Sequence, residues 1–225
     1  HTILTKNLLD APRQNQRLQE GERCLASKFS GITYLLVTTN LLVYFLELHN
    51  PNYYIMKYGL VPALIMDGKN LYTLLTSMFL HGSIIHLILN MLVLLFVGDD
   101  CERSIGSARF LAFYLISGIF AGLFHSYLNI GSYVPTIGAS GAIFGVLAAY
   151  AVLFPFRRVI AFFGFIPIPL PAIVFVFLLV FMETTYAVSG GLPYVAHTAH
   201  LGGFISGVFL ALLFGPKKGA EEESP

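Results

Sequence analysis

The sequence predicts an all-α membrane protein built as a bundle of six transmembrane helices. Hydrophobic residues make up 56% of its 225 residues and charged residues only 11%, whereas a soluble domain carries about 25% charged residues. The apolar residues are collected into segments of about 15 to 20 residues, near the length that a helix needs to cross a bilayer. The positive charges also cluster in alternate connections between these segments, as membrane proteins require.

The six predicted helices cover residues 32–48, 83–97, 110–128, 140–154, 172–186 and 195–214. Residues 49–80 are too interrupted by Pro, Gly and charge to span, and their tyrosines suit the membrane interface. Residues 99–106 are predicted to form a charged turn, and residues 129–139 and 190–193 to form loops. Residues 162–171 are apolar but contain several prolines, which predicts a reluctant helix. The domain boundaries are therefore 1–29 for an N-terminal tail, 30–214 for the bundle and 215–225 for a C-terminal tail.

The positive-inside rule predicts the orientation of the bundle. Only Lys57 and Lys69 fall in connections on one side. The remaining basic residues fall in the two tails and in the connections on the other side: Lys6, Arg13, Arg17, Arg23, Lys28, Arg103, Arg109, Arg157, Arg158, Lys217 and Lys218. We therefore expect both tails to be cytoplasmic and the fourth helix to begin on the extracytoplasmic side.

The cellular location is predicted from the same distribution. Cys24 and Cys101 fall on the cytoplasmic side, so both are expected to be free thiols. Residues 1–28 contain no apolar signal-peptide core and are expected to form a soluble tail with at most a short surface helix. Together with the short loops, this favours the plasma membrane of a prokaryote. No dense basic run indicates a nucleic-acid partner.

Ser140 is the first candidate for chemistry, because it begins the fourth helix directly after a glycine-rich turn. The N–H groups in the first turn of a helix have no internal partners, and that end carries partial positive charge. The environment suits a nucleophile whose attack creates an oxyanion. The predicted helix is only about 22 Å long, which would sink Ser140 below the outer surface, beside water. The alternative is a small-residue contact between two membrane helices.

His200 is the candidate partner of Ser140, since it lies in the first turns of the sixth helix at a comparable depth. Gly203 and Gly207 follow it, and the fourth helix carries Gly141 and a second glycine at the same spacing. Such pairs allow close helix approach, which would bring the serine and the imidazole within hydrogen-bond reach. The alternative is a structural hydrogen bond between helices. His197 lies nearer the surface and is a weaker candidate.

The second helix contributes two hydrogen-bond donors, His86 and Asn90, which share one helix face. Near Ser140 they could hold a developing oxyanion together with the Ser140 N–H, or they could simply join helices. His81 is expected to fix the loop before them. No carboxylate is predicted at the depth of Ser140. Glu183 is the nearest, but it falls toward the outer end of the fifth helix, and the sequence does not place it beside His200. The chemistry is therefore predicted to use a Ser–His dyad.

A metal site is not expected, although His81, His86, His197 and His200 share one side. The sequence has no HExxH motif, no cysteine on that side and no carboxylate predicted beside these histidines. No other cofactor is indicated.

Four spaced motifs together resemble the rhomboid family of intramembrane serine proteases, over roughly residues 30–214. They are His81-x4-His86-x3-Asn90, Gly98-x3-Glu102-x3-Gly106, Gly138-x-Ser140-Gly141 and Ala199-His200-x2-Gly203-x3-Gly207. The resemblance implies a six-helix bundle whose water-filled site opens to the outside. It also implies that transmembrane proteins in the lipid bilayer are the substrates.

The resemblance also assigns roles to single residues. Ser140 looks like the nucleophile and His200 like the general base, with His86, Asn90 and the Ser140 N–H as oxyanion stabilisers. Phe144 stands where the family has an aromatic ring packed on the catalytic histidine, and Glu102 looks structural. Gly138, Gly141, Gly203 and His81 would support the site. Tyr72-Thr73 replaces a Trp-Arg pair that some members carry in the first loop.

The main alternative is a non-catalytic relative that binds and guides membrane proteins. Such relatives typically lose the serine or the histidine, and both are present here. A channel or transporter is less favoured, because no carboxylate is predicted at mid-depth and no half of the chain is repeated.

Overall fold

Apolar helices carry most of the fold of this computed structural model, which describes residues 30–163, 166–190 and 195–215. The predicted tails and Cys24 lie outside the described residues. The described helices are α1 (Gly31–Glu47), α2 (Pro51–Tyr58), α3 (Pro62–Met66), α4 (Thr73–Thr76), α5 (Ile84–Val93), α6 (Asp99–Ile105), α7 (Ser107–Leu128), α8 (Ser140–Leu153), α9 (Ala172–Ser189) and α10 (His197–Phe214).

Four helical segments are long and apolar enough to cross a membrane among the residues that the structure describes: Ile84–Ile105, Ser107–Leu128, Ala172–Ser189 and His197–Phe214. Two shorter apolar helices, α1 and α8, have 17 and 14 residues. These helices overlap the six segments that the sequence predicts as spans, but only four of them have the length that a span needs. Many of their large apolar side chains point outward, as Phe45, Phe96 and Phe209 do.

The predicted charged turn at residues 99–106 is wrong, because a π-helical segment (Leu94–Gly98) carries the second span directly into α6. The acidic side chains do not interrupt this helix, since Asp99 pairs with Arg103 and Asp100 with Arg157. The helix ends only at Gly106, whose φ of 89° belongs to a region that favours glycine.

The reluctant helix predicted at residues 162–171 is also wrong. Strands β1 (Arg158–Phe163) and β2 (Ile166–Pro171) pair there as an antiparallel ribbon, so the fold is predominantly, not entirely, helical. Prolines occupy every second position of β2 and face alternate residues of β1. The intervening residues keep their N–H groups, so one strand ladder tolerates the prolines that would break a helix.

Helix α8 lies at the centre of the bundle and packs on α7 and α10. Ten of its residues are buried, including Ala142, Val146 and Ala149, which explains why a short and featureless apolar sequence forms a stable helix here. Cys101 is a free, buried thiol whose Sγ lies 3.8 Å from the Val146 carbonyl oxygen of α8. The N-terminal end of this central helix carries Ser140.

Candidate active site

Glycine pairs on α8 and α10 set the distance between the two helices. A Cβ atom built on Gly203 would overlap the carbonyl oxygen of Gly141, and one on Gly207 would overlap the backbone of Gly145. The two GxxxG faces therefore contact each other directly, as the spacing predicts. Helices that approach this closely can bring short side chains at their ends together.

Ser140 and His200 meet at the N-terminal ends of these helices. The Ser140 Oγ atom lies 2.8 Å from His200 Nε2, which is a normal hydrogen-bond length. His200 exposes only 8% of its surface, and Ser140 is partly exposed. The prediction that the glycine faces bring the two side chains within hydrogen-bond reach is confirmed.

Two neighbours fix the geometry around this pair. The Phe144 ring stacks on the imidazole of His200 with 4.3 Å between centroids and 6° between planes. Before Ser140, Gly138 adopts a φ of 129° and donates its N–H to the Ser77 carbonyl oxygen. A side chain at Gly138 would be strained, so glycine is needed for the turn that leads into α8.

The structure places Glu183, which the sequence could not place, beside His200. Its Oε2 atom lies 2.9 Å from His200 Nδ1, on the opposite edge of the ring from Ser140. Glu183 exposes 6% of its surface and shares the inward face of α9 with Ala172 and Val176. Ser140, His200 and Glu183 therefore form one chain of contacts, and the expectation of no carboxylate at this depth, from which a dyad is predicted, is wrong.

His197 joins the same group. Its Nδ1 atom lies 2.6 Å from the same Glu183 oxygen, and its ring packs on Tyr186 with centroids 5.2 Å apart. It is the first residue of α10, one turn before His200, and is 8% exposed. The carboxylate is shared between two imidazoles from consecutive turns of α10.

His86 approaches the serine from α5, and Asn90 follows it four residues later on the same helix. A Cβ atom at Gly138 would lie 3.0 Å from His86 Nε2 and 3.6 Å from Ser140 Oγ, so these two side chains flank the same point. Asn90 is buried, and its Nδ2 atom has no hydrogen-bond partner among the described residues. An unpaired buried amide is a costly group.

His81 fixes the loop before α5 through its backbone, since its N–H donates to Glu47 Oε2 at 2.9 Å. Its ring contacts that of His86 with centroids 5.1 Å apart. Burial, and then the neighbouring His86, lowers the pKa of His81 to about 4, so this imidazole is neutral near pH 7. Glu47 is a second buried carboxylate at this end of the bundle.

Glu183, His197 and His200 are also a set that could hold a metal ion, because one donor atom of each lies within 4.8 Å of the others. Zinc accepts such a set. The absence of a carboxylate, on which the prediction of no metal relied, is therefore wrong. A metal would have to replace the hydrogen bonds that both Nδ1 atoms make to Glu183.

A further polar network, which the sequence did not indicate, lies at the same end of the bundle. His125 Nδ1 contacts the Thr198 hydroxyl at 2.6 Å and His125 Nε2 contacts the Thr136 hydroxyl at 3.0 Å. It ties α7 and the loop before Ser140 to the first turn of α10. Its partners are hydroxyl groups from fixed elements, so it holds the site together.

One signal could have located Glu183. It is the only charged residue in α9, an 18-residue segment with a mean hydropathy of 2.0. A carboxylate inside a membrane segment is costly and points to a partner in the protein. The sequence does not identify that partner, because nothing in an all-round apolar helix shows which face turns inward.

Comparison with known proteins identifies the family to which this fold and site belong. The family model of the Rhomboid domain matches residues 68–217. The chain is 33% identical over 195 residues to Rhomboid protease GluP from Bacillus subtilis (strain 168), covering 84% of this chain and 36% of that protein. It is 32% identical over 216 residues to Rhomboid protease AarA from Providencia stuartii, covering 82% of this chain and 72% of that protein.

The chain belongs to the rhomboid family. It is also 36% identical over 155 residues to RHOMBOID-like protein 4 from Arabidopsis thaliana, covering 69% of this chain and 37% of that protein. The relatives include one named Inactive rhomboid protein 1, from Papio anubis. The chain spans about a third to a half of the length of the first four curated relatives that it matches.

Proposed function

We propose that this protein is an intramembrane serine endopeptidase that cleaves peptide bonds in or near the transmembrane segments of other proteins. The observation that carries the proposal is the 2.8 Å contact between Ser140 Oγ and His200 Nε2 at the head of two closely packed helices. A nucleophile and a base within hydrogen-bond reach are the minimal requirement for acyl transfer. Two bacterial relatives named as proteases support the same reaction class.

The proposed reaction begins when His200 Nε2 accepts the hydroxyl proton of Ser140. The Oγ atom attacks the substrate carbonyl carbon, an O–C bond forms, and the carbonyl electron pair moves onto oxygen. His200 then donates the proton to the leaving nitrogen as the C–N bond breaks. Water, deprotonated by the same imidazole, hydrolyses the acyl-enzyme and restores Ser140.

The proposed oxyanion stabilisers are His86, Asn90 and the N–H of Ser140. The unpaired amide of Asn90 is a donor without a ground-state partner among the described residues, and the Ser140 N–H belongs to the first turn of α8, where such groups are free. Donors of this kind, fixed before the reaction, strengthen as negative charge develops. Removal of one such donor from other enzymes costs about 10²–10³ in kcat.

The proposed setting is a six-span bundle with both tails cytoplasmic, which leaves Ser140 at the extracytoplasmic ends of the helices. The distribution of Lys and Arg supports this orientation. A peptide bond inside an intact helix is shielded by its own hydrogen bonds. We therefore expect substrates whose transmembrane segments unwind easily, with Gly, Pro or polar residues near the cleavage site.

The test is cleavage of a labelled transmembrane substrate in proteoliposomes by the wild type, Ser140→Ala and His200→Ala. Both variants are expected to lose at least about 10³-fold in kcat/KM, as for other serine proteases. Thr184→Val is the control, because Thr184 is exposed and its hydroxyl bonds only to its own helix. Full cleavage by either variant would contradict the proposal.

The second candidate function is a non-catalytic rhomboid relative that binds membrane proteins, and Inactive rhomboid protein 1 among the relatives makes it worth testing. The two functions differ in one cheap measurement. A fluorophosphonate probe labels an activated serine, so a catalytic protein is labelled at Ser140. Binding of membrane proteins without any labelling would favour the second candidate.

A further inference from the structure

A third side chain contacts the Ser140–His200 pair, from a helix that is neither α8 nor α10. Glu183 Oε2, from α9, lies 2.9 Å from His200 Nδ1, while His200 Nε2 lies 2.8 Å from Ser140 Oγ. Each ring nitrogen of His200 therefore has its own partner, and both distances are normal for hydrogen bonds. All three residues come from different helices, so the arrangement is a product of the tertiary packing.

The carboxylate selects the tautomer of His200. An ionised carboxylate only accepts hydrogen bonds, so the proton of a neutral His200 must lie on Nδ1. Nε2 is then left with a lone pair directed at the Ser140 hydroxyl, which is the form that a general base requires. Without Glu183, the neutral imidazole could hold its proton on Nε2 and could not deprotonate the serine.

The carboxylate also offsets the charge that catalysis creates. When His200 accepts the Ser140 proton it becomes an imidazolium at a site where it exposes only 8% of its surface. A buried charge is costly unless a partner of opposite sign lies against it. Glu183, itself 6% exposed, is that partner, and it needs no rearrangement during the reaction.

His197 fits the same assignment. Its Nδ1 atom also faces Glu183 Oε2, at 2.6 Å, and its Nε2 atom is buried without a hydrogen-bond partner among the described residues. If Nδ1 carries the proton, the unpaired Nε2 is an acceptor, which is less unusual when buried than an unpaired N–H donor. Glu183 therefore receives two N–H donors and is held in place by the one that does not contact Ser140.

We propose that Glu183 is the positioning residue of His200, so that the site works as a Ser140–His200–Glu183 triad with His197 anchoring the carboxylate. This inference rests on the proposed protease function and goes beyond the dyad that the family resemblance implies. Glu183 does not take up the proton in this scheme. It holds the Nδ1–H and the ring orientation while the proton moves between Ser140 Oγ, His200 Nε2 and the leaving nitrogen.

The test compares Glu183→Gln and Glu183→Asp with the wild type in proteoliposomes, with Thr184→Val as the control on the same helix. Gln keeps the size but can donate to Nδ1 and select the wrong tautomer, so kcat is expected to fall at least about tenfold with KM unchanged. Asp keeps the charge on a shorter side chain and is expected to restore part of kcat. Thr184→Val is expected to match the wild type.

Fluorophosphonate labelling separates a positioning role from a structural one. For Glu183→Gln we expect the labelling rate of Ser140 to fall with kcat while the final extent of labelling stays complete. A merely structural role would instead lower the final extent, because part of the protein would be misfolded, and would leave the rate of the folded fraction unchanged. That result, or a kcat within twofold of the wild type, would overturn the inference.

Two further outcomes are informative. If Glu183→Gln does not accumulate as folded protein, Glu183→Ala takes its place: a reduced labelling rate of Ser140 at full extent supports the triad, and an unchanged rate contradicts it. Ser140→Ala, measured in the same preparation, separates the two proposals. An active Ser140→Ala overturns the protease itself, whereas an inactive Ser140→Ala beside a fully active Glu183→Gln overturns only the role of Glu183.

Discussion

Two buried carboxylates at opposite ends of the bundle differ in what they bond to. Glu102, in α6, accepts the N–H groups of Ile32 and Thr33 at 3.0 and 2.7 Å, and also the hydroxyls of Thr33 and Ser107. Both oxygens are used, and the four donors belong to the first turns of α1 and α7. Glu102 therefore caps α1 and joins it to the start of α7, which is consistent with the structural role that the family resemblance implies for it.

Glu183, at the other end, accepts from two imidazoles. Imidazoles change their protonation near neutral pH, whereas backbone amides and hydroxyls do not. Burial alone therefore does not identify a functional carboxylate in a membrane protein. The hydrogen-bond donors around the carboxylate distinguish the two roles. Backbone amides and hydroxyls around Glu102 indicate a structural role, and imidazoles around Glu183 indicate a role in chemistry.

The largest effect on stability is expected when Glu102 is replaced. Glu102→Ala leaves the first N–H groups of α1 and two hydroxyls without their acceptor, which is expected to cost about 2–4 kcal/mol in the free energy of unfolding. Activity per labelled Ser140 is expected to stay within twofold of the wild type. Thermal unfolding in detergent and labelling-normalised cleavage measure both quantities.

Asp100→Asn is the control for this substitution, because its ion pair with Arg157 is partly exposed and such pairs contribute about 1 kcal/mol or less. Equal destabilisation by the two variants would show that Glu102 is an ordinary surface-type charge. A large loss of activity per labelled Ser140 in Glu102→Ala would show that Glu102 also contributes to catalysis, which would contradict its assignment as a structural residue.

Gly203→Ala tests whether the arrangement of Ser140 and His200 depends on the close contact between α8 and α10. The added methyl would overlap the backbone of Gly141, so α8 and α10 must separate, at an expected cost of about 1–3 kcal/mol. Because the same contact brings Ser140 to His200, the labelling rate is expected to fall at least about tenfold. The inner end should keep its structure.

Gly31→Ala is the matched control, since a Cβ there meets no atom within 4 Å. It is expected to leave both the unfolding temperature and the labelling rate unchanged. If Gly203→Ala behaved like Gly31→Ala, the glycine faces would not determine the geometry of the site.

Glu47→Gln is expected to have the smallest effect, and it compares Glu47 with Glu183 at the same end of the bundle. Glu47 is buried at the same end as Glu183 but accepts the backbone N–H of His81, which a glutamine oxygen can also accept. We expect a stability change of about 1 kcal/mol or less and a kcat within twofold of the wild type. A loss of kcat as large as that of Glu183→Gln would show that position in the bundle, not bonding partner, decides the role.

Much of the site could be predicted because its parts are encoded locally. Ser140 follows a glycine-rich turn, and Gly141 and Gly203 begin the spacings through which α8 and α10 make contact. Motif spacing also placed His86 and Asn90 on one face. These features depend on helix periodicity, which a sequence states directly.

Glu183 could not be placed because its role depends on how α9 is rotated against α10. The sequence gives the position of a residue along its own helix. Because α9 is apolar on every side, no apolar stripe shows which of its faces turns inward. The ribbon of β1 and β2 was missed for a related reason. Its prolines exclude a helix, but the strand that accepts them is visible only once the pairing partner is known.

The most direct test of the central claim, that His200 activates Ser140, is to locate a fluorophosphonate adduct by mass spectrometry in the wild type and in His200→Ala. We predict a single adduct on Ser140 in the wild type and a labelling rate at least about 10³-fold lower in His200→Ala. An adduct on another residue, or equal labelling of Ser140 in both proteins, would contradict the account.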